Sequence, residues 1–406
     1  MDILYISQYY PPEMGAPSAR VSELSKYWVK FGNNVTVITG MPNHPDGIIH
    51  PTYKWEYFKE ERKFGVRVLR VLLYVTPNKG VIKRVISFLS FMITSFIVGI
   101  LKSGTDVVIA TSPQLFVGLS GLIIAKLKGK PFIFEVRDIW PQSAVELGVI
   151  SNRFIIAAME RLECLLYVKA SKIIVAVKGM EKIISQKGID PQKIHFIPNG
   201  IDAERFKSEK RTILRNRKHL QGKFLVGYAG TIGMAHGLDI IPKTARLLED
   251  TNIHFVIIGS GAEREKISDI IEKEHLNNVT MLGKMPQETI PSVLSELDMG
   301  FVHLKDFPLM HNAVPSKIYE IMASGTPVLA GISGIGRRFI EESGLGYVFR
   351  QEDPNDMAQV LRKIIREPKE KLNDIGRHSE QIAFAKFSRE DLAYKYLNYL
   401  KEASSD

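Results

Sequence analysis

One stretch of the C-terminal half combines a helix start with charged side chains. Pro315 fits the first position of a helix, and Gly325 fits the position after its last turn. The free backbone amides near Ser316 and Lys317, with the Lys317 charge, would attract an anion. Glu320 follows four residues after Ser316, where its carboxylate could accept hydrogen bonds from sugar hydroxyls. The pattern predicts a site for a phosphate-bearing sugar, and the alternative is a surface helix with an ordinary glutamate.

Two loops that follow predicted strands contain glycines. Gly15 lies in the Pro/Gly-rich loop 9–20, which opens the first helix, and Gly259 and Gly261 follow the strand at 254–258. Loops at the carboxyl ends of parallel strands bind ligands in doubly wound folds, and small residues let a ligand approach the backbone. The third glycine of a dinucleotide fingerprint is missing, so a plain tight turn is an equal alternative.

Polar residues follow two further predicted strands. Arg137 and Asp138 end the strand at 132–136, and His44 follows the strand at 34–39. Their position predicts contact with a substrate. The alternatives are a structural Arg137–Asp138 ion pair and a solvated loop histidine.

Composition excludes several classes of protein. The chain has 406 residues with 54 Lys+Arg, 44 Asp+Glu and a single cysteine, Cys164. A disulfide framework and a cysteine-built zinc site are excluded, and no metal-site or nucleophile-elbow pattern occurs. No basic residue precedes an apolar run at the N-terminus, so a cleaved secretory signal is not indicated. We expect a cytoplasmic globular protein of two or three domains.

Short β-branched runs alternate with helical patterns along the chain, which predicts an α/β protein with parallel sheets. The alternation of strand and helix patterns is interrupted near residues 198–222, where we place a domain boundary. The expected architecture is two doubly wound, Rossmann-like domains that face a central cleft. The predicted strands are 2–8, 34–39, 66–75, 106–111, 132–136, 172–177, 224–228, 254–258, 279–282, 299–304, 327–330 and 347–349, and the first helices are 19–31, 81–101, 115–127 and 152–168.

The region 54–101 predicts contact with an anionic membrane surface. Nine basic and three acidic residues lie between Lys54 and Arg84, and the uncharged segment 85–101 follows them. That segment is at or below the length needed to span a bilayer. A buried crossover helix is the alternative, while nucleic acid is not expected because no recognition motif accompanies the charge.

These segments together resemble the retaining glycosyltransferases of the GT-B fold, family 4. Within that family the chain looks most like the bacterial branch that makes capsule, O-antigen and colanic-acid type polysaccharides, including fucosamine transferases. The resemblance covers nearly the whole chain, and its specific motifs are Asn-Gly-Ile-Asp at 199–202 and Ser-Lys-Ile-Tyr-Glu at 316–320.

The resemblance implies roles residue by residue. Glu320 matches the glutamate that holds the ribose hydroxyls of the donor, and Asn312 occupies the position of a first glutamate eight residues earlier. Thr231 and His236 occupy the positions of the family's diphosphate-binding Arg and Lys. The leaving diphosphate would then depend on Lys317, on helix amides, and on His236 or Arg205. The family's sugar-binding His is replaced by Arg137, and Asn199 belongs to a donor-side motif.

The resemblance implies a sugar transfer from a nucleoside diphosphate, UDP, to a lipid-linked acceptor with retention of configuration. It also implies that no metal or cofactor is required. The sugar would be an N-acetylated amino or deoxyamino sugar, and Asp138 would have a polar or base role near the acceptor. The expected domains are 1–200 for the acceptor, 201–385 for the nucleotide sugar, and a helix at 386–406 that packs back on the first domain. The expected location is the inner face of the plasma membrane. Two alternatives are a catalytically silent scaffold that binds anionic lipid or nucleic acid, and a nucleotide-sugar epimerase.

Overall fold

Two sheets organise the chain into two units. The computed structural model describes residues 1–13, 15–43, 47–76, 81–146, 148, 150–207 and 211–405. Unit 1 comprises Met1–Asn199 and Arg389–Asp406, and unit 2 comprises Gly200–Ser388. The chain passes between the units at two points, and each unit is described by itself below.

Unit 1 is a doubly wound α/β unit with an eight-stranded sheet in the order β3-β4-β2-β1-β5-β6-β7-β8. All neighbouring strands are parallel except β3, which pairs antiparallel with β4 at the sheet edge. The strand order reverses between β1 and β5, and doubly wound folds bind ligands at the carboxyl ends of such strands. Its elements are β1 (Asp2–Ile6), α1 (Ala16–Lys30), β2 (Asn34–Gly40), β3 (Phe58–Lys63), β4 (Val66–Val71), α2 (Val81–Leu101), β5 (Val107–Thr111), α3 (Leu115–Lys128), β6 (Phe132–Val136), α4 (Gln142–Glu146), α5 (Arg153–Lys169), β7 (Lys172–Val175), α6 (Gly179–Gln186) and β8 (Ile194–Phe196), with the last helix of the chain, Arg389–Ser405.

One face of the unit 1 sheet packs against α1 and the last helix. The Trp28 indole lies 5.8 Å from the Tyr5 ring and 5.1 Å from the Tyr396 ring, and its Nε1 donates to the Ala393 carbonyl at 2.9 Å. An indole can be fully buried at low cost only when its N–H has such a partner. The last helix is therefore part of the unit 1 core.

Helices α2 and α3 pack together on the unit 1 sheet, and the polar side chains of α2 bond to backbone. The Thr94 hydroxyl donates to the Leu72 carbonyl at 2.8 Å, and the Ser90 hydroxyl accepts from the Tyr74 amide at 2.7 Å. On the outer side Ile93 and Ile97 are 52% and 48% exposed. Helix α2 is therefore a crossover helix between β4 and β5 that is buried on one side, where Phe91 lies, and leaves a stripe of apolar side chains uncovered on the other.

Unit 2 has a six-stranded, wholly parallel sheet in the order β11-β10-β9-β12-β13-β14. Its order reverses between β9 and β12, so the loops that follow these two strands share one edge. Its elements are α7 (Ala203–Lys207), β9 (Phe224–Thr231), α8 (Ile240–Arg246), β10 (Ile253–Ser260), α9 (Arg264–Lys273), β11 (Val279–Leu282), α10 (Ile290–Ser295), β12 (Met299–His303), α11 (Ser316–Ala323), β13 (Val328–Gly331), α12 (Gly334–Glu342), β14 (Gly346–Val348), α13 (Pro354–Ile364) and α14 (Lys369–Lys386); the last helix of unit 1 is α15 (Arg389–Ser405).

The structure confirms the predicted α/β class and corrects the element list in detail. Strands β3 and β8 were not predicted from the sequence, and the strand predicted at 66–75 ends at Val71. Strand β3 is an exposed edge strand rich in Lys and Glu, so it lacks the apolar run that predicts a strand. Pro315 is the N-cap of α11 and not its first helical residue.

Candidate active site

The strongest candidate site in unit 2 is the carboxyl end of β9, where the side chain of Lys317 lies. Gly230 has a φ of 146°, and a Cβ atom built there would lie 2.6 Å from the Lys317 Nζ. Any side chain at position 230 would therefore displace the ammonium group. The second residue of α11 is in this way held against the backbone at the sheet's switch point.

Lys317 carries a positive charge on a half-buried side chain. Its Nζ lies 5.2 Å from the centroid of the Tyr228 ring, and it forms no ion pair with any residue in the described ranges. Burial lowers the Lys317 pKa, and the Glu320 carboxylate opposes that shift. Removing part of a cation's hydration without an anionic partner is costly, and an anionic ligand would offset that cost.

His236 lies beside Lys317 in the turn that follows β9. Its ring is 6.0 Å from the Tyr228 ring, and its Nδ1 is buried without a hydrogen-bond partner in the described part of the chain. Burial, and then the Lys317 charge, lower the His236 pKa to about 4. The ring is therefore neutral near pH 7. The ring could donate or accept a hydrogen bond there. It does not supply a positive charge to the diphosphate, which was one role predicted for His236 from the sequence.

Thr231 and the two glycines at the end of β10 lie close to this position. The Thr231 carbonyl accepts from the Tyr228 hydroxyl at 2.5 Å. A Cβ at Gly259 would lie 1.9 Å from the Gly230 oxygen, and one at Gly261 would lie 2.3 Å from the Ile232 oxygen. Both glycines are thus required by the close contact between the ends of β9 and β10. Their predicted contact with a ligand stays a prediction.

Glu320 forms an ion pair with Arg205, which was predicted from the sequence only as a ligand of the diphosphate. The Arg205 Nη2 donates to the Glu320 Oε1 at 3.1 Å. Glu320 is partly exposed, so one carboxylate oxygen is oriented while the group stays accessible. Arg205 therefore positions Glu320 in this structure. Ser316 begins α11, and Asn312 ends the turn Pro308–Asn312 just before it, both half-buried.

Asp138 and Arg137 occupy the loop after β6 in unit 1. The Ser112 hydroxyl accepts from the Arg137 amide at 2.8 Å, which ties this loop to the end of β5. Burial raises the Asp138 pKa, while a hydrogen bond with Ser143 opposes the shift. Burial lowers the Arg137 pKa, and Nε and Nη1 of Arg137 have no hydrogen-bond partner in the described ranges. The two side chains therefore do not form the structural pair offered as the alternative.

Asn199 belongs to a buried polar network of unit 1. Its side-chain oxygen accepts from the Arg20 Nη1 at 3.3 Å, and its carbonyl accepts from the Arg389 Nε at 3.1 Å. Arg20 also forms an ion pair with Glu135 at 2.8 Å, and Glu135 accepts from the Tyr5 hydroxyl at 2.7 Å. No role was predicted from the sequence for Arg20 or Glu135, which lie 115 positions apart.

The loop that precedes α1 is fixed by Glu13. The Glu13 Oε1 accepts from the Asn43 amide at 2.9 Å, and Gly15 is the N-cap of α1 with a φ of 130°. Gly15 is therefore used for a backbone turn. His44 lies outside the described residues. Within the described ranges no three His, Cys, Asp or Glu side chains lie close enough to hold a metal ion.

Comparison with known proteins identifies the family. The profile of the family "Glycosyl transferases group 1" matches residues 209–381, and that of the family "Glycosyl transferase 4-like domain" matches residues 15–200. The chain is a group 1 glycosyltransferase. The two matched regions correspond to the two doubly wound sheets.

Curated relatives of this glycosyltransferase are distant and nearly full length. The Escherichia coli (strain K12) protein named as a colanic acid biosynthesis glycosyl transferase, WcaI, is 26% identical over 80% of this chain and 82% of its own. The glycosyltransferase WbjE of Pseudomonas aeruginosa is 24% identical over 89% of this chain and 92% of its own.

Solved structures show that the glycosyltransferase has the GT-B fold. The Anabaena protein HepE, determined in complex with UDP and glucose, superimposes with a TM-score of 0.73 at 17% identity, over 99% of this chain and 100% of its own. WaaG, a glycosyltransferase of lipopolysaccharide biosynthesis, superimposes with a TM-score of 0.70 at 14% identity, over 98% and 99%. The expected fold is therefore confirmed.

Proposed function

We propose that this glycosyltransferase moves an N-acetylated amino or deoxyamino sugar from UDP to a lipid-linked acceptor in cell-surface polysaccharide synthesis. The observation that carries the proposal is the half-buried Lys317, whose ammonium lies against Gly230 at the switch point of unit 2. A nucleoside diphosphate is the ligand that would use such a cation, and the family transfers sugars. The relative named for colanic acid biosynthesis supports a role in polysaccharide synthesis. The structure of HepE with UDP supports UDP as the nucleotide of the donor.

Catalysis in this proposal is electrostatic and needs no metal. As the glycosidic bond breaks, negative charge grows on the leaving diphosphate, and fixed donors stabilise that charge without reorganisation. Lys317 supplies the charge and His236 a hydrogen bond, while Glu320, oriented by Arg205, accepts from hydroxyl groups of the donor. Asp138 and Arg137 would contact the acceptor. We propose retention of configuration on the basis of the family resemblance.

The transfer is tested with UDP sugars and vesicles made from a bacterial lipid extract. We expect UDP release that requires both the lipid extract and one particular sugar nucleotide. Glu320→Gln keeps the shape of the side chain and removes its charge, so it should lower the rate at least about tenfold, as expected for loss of one charge-assisted hydrogen bond.

Two outcomes would contradict the transfer. Conversion of the sugar nucleotide to an isomer without acceptor lipid would favour an epimerase. Lipid binding with no UDP sugar binding would favour a silent scaffold. A matched control is Glu341→Gln, which removes a charge from an exposed ion pair with Arg337 on α12 and should leave the rate unchanged.

We also propose that unit 1 docks on an anionic membrane, with the enzyme at the cytoplasmic face of the plasma membrane. Helix α2 is longer than the uncharged segment 85–101. Its residues Lys83–Leu101 are long and apolar enough to cross a membrane, and 22% of them are buried. Length and composition do not distinguish a membrane span from a core helix of a soluble protein. We propose a helix that lies on the membrane surface, because one side of α2 is buried in unit 1 and the other side is exposed. The exposed stripe Ile86, Ile93, Ile97 and Leu101, with the neighbouring Lys83, has the amphipathic character of an interfacial helix.

The structure changes which cations could contact that membrane. Within the basic stretch 54–84, Lys59 pairs with Glu56, Lys63 with Glu61 and Arg67 with Glu60, and Arg70 is buried against Glu61. The β3–β4 hairpin is therefore less positive than its sequence suggests. Lys83 forms no ion pair within the described residues, and Lys79 lies outside them.

Ile97→Glu should weaken binding to vesicles that contain anionic lipid by at least about tenfold. One buried isoleucine contributes about 1.5–3 kcal/mol, and the new carboxylate is repelled by the lipid. The matched control Leu247→Glu, at a 40% exposed leucine of unit 2, should bind as the unchanged protein does. Binding should also fall as salt rises, since exposed charges are screened over about 10 Å at 0.1 M. Equal sedimentation of both variants with the vesicles would exclude α2 as the docking surface.

A further inference from the structure

An apolar cavity in unit 1 opens between the first turns of α2, α3 and α5. Its volume is about 240 Å³. Sites for drug-sized ligands measure roughly 300–1,000 Å³, so this one is too small for a nucleotide sugar. Phe88, Trp140, Ile155 and Met159 contribute to its wall, and four of the other eight lining residues are apolar too.

One charged residue, Arg84, lines the cavity among twelve lining residues. Its guanidinium carbon lies 5.9 Å from the centroid of the Phe88 ring, and it forms no ion pair within the described part of the chain. Two other polar residues of the wall are already bonded. Gln114 bonds to the Tyr9 hydroxyl, and the Asn152 oxygen accepts from the first amides of α5 at 3.0 and 3.2 Å. The cavity thus presents mainly apolar walls, the Ser151 hydroxyl and one available cation.

The cavity adjoins the loop that carries the candidate acceptor residues. Trp140 follows Asp138 by two residues, and Gln114 follows Ser112 by two residues. Ser112 bonds to the backbone of that loop, so both sides of the cavity are fixed to the ends of β5 and β6. A molecule in the cavity would have its polar end near the switch point of the unit 1 sheet.

We propose that this cavity binds the first part of the hydrocarbon chain of a single-chain lipid phosphate, with the phosphate at Arg84. This inference depends on the proposed function, because it makes the lipid carrier of the acceptor the occupant. A single small cavity with a single cation fits one chain and one phosphate. It fits a two-chain phospholipid poorly, since the second chain would find no matching cavity.

The first test measures binding of farnesyl phosphate, below its micelle concentration and without vesicles, by calorimetry on the full chain. Ile155→Glu places a carboxylate in the cavity wall, and we expect at least about tenfold weaker binding. Leu165→Glu is the matched control, since Leu165 is on the same helix and 42% exposed against 48% for Ile155. It should bind within about twofold of the unchanged protein. Equal loss in both variants would overturn the cavity as the site.

The second test separates the phosphate from the chain. Arg84→Gln should reduce the affinity for farnesyl phosphate to that for farnesol, while Arg161→Gln, at an exposed arginine of α5 outside the cavity wall, should preserve the difference between the two ligands. Tighter binding of dihexanoyl phosphatidic acid than of farnesyl phosphate would assign the cavity to membrane phospholipid and overturn the proposal.

The failure of this inference is distinguishable from failure of the proposed function. If UDP release requires acceptor lipid but Ile155→Glu and Leu165→Glu show the same KM for that lipid, the transfer stands and the cavity assignment is wrong. If farnesyl phosphate binds as expected but no UDP sugar is used, the transfer is wrong.

Discussion

Lys317→Met is expected to weaken UDP binding by about 10- to 150-fold while uridine binding changes by less than about twofold. The range follows from about 1.5–3 kcal/mol for a hydrogen bond to a charged group. Methionine keeps the length and packing of the side chain against Tyr228 and removes the charge. Calorimetric titration with both ligands measures the difference directly. Lys284→Met, at an exposed lysine of the same unit, is the control and should leave both affinities unchanged.

The same variant should unfold at a higher temperature in the absence of ligand. Because burial lowers the Lys317 pKa, the folded state is destabilised at every pH where the unfolded chain is protonated, and this cost disappears only as the pH rises towards the unfolded pKa. Removal of the charge near pH 7 therefore removes the cost. Weaker UDP binding with a raised Tm identifies a residue whose charge is retained for a ligand. An equal loss of affinity for UDP and uridine, with a lowered Tm, would show that Lys317 is structural.

Arg20→Met is expected to destabilise unit 1 by about 3–5 kcal/mol. The change leaves the Glu135 carboxylate buried without its ionic partner, and breaking one side of a buried ion pair has this cost. It also removes the donors to the carbonyls of Ile197 and Pro198, at 2.9 Å each. Unfolding in urea can be followed by tryptophan fluorescence, because all three tryptophans, Trp28, Trp55 and Trp140, belong to unit 1.

Two further variants show whether burial causes the effect. Arg67→Met breaks an exposed pair with Glu60 and should cost at most about 1 kcal/mol. The double variant Arg20→Met/Glu135→Gln should be less destabilised than the sum of its single changes, because the uncompensated charge is then absent. A loss below about 1 kcal/mol in Arg20→Met would contradict the account of the network.

The sequence was sufficient for the features that depend on local pattern. Alternation of β-branched runs with helical periods predicted the parallel sheets, because strands buried on both faces must be apolar throughout. It also placed Glu320 and Lys317 at the start of one helix, since Pro315, Gly325 and the apolar spacing between them are local signals. The order of the motifs along the chain was enough to indicate the resemblance to the glycosyltransferase family.

Only the tertiary structure decided which side chains meet. Lys317 lies against Gly230, Arg205 binds Glu320, and Arg20 binds Glu135, and no spacing in the sequence encodes these long-range pairs. The structure also showed that His236 is neutral, because burial and a neighbouring cation set its pKa.

The charge of the 54–84 stretch also depends on pairs that the sequence does not encode. Counting residues gives the net charge of a segment, whereas the charge available to a partner depends on which groups pair across strands. The antiparallel pairing of β3 with β4 brings Glu60 beside Arg67 and Glu61 beside Arg70. Composition therefore determined the total charge of this protein, and the fold determined where that charge can act.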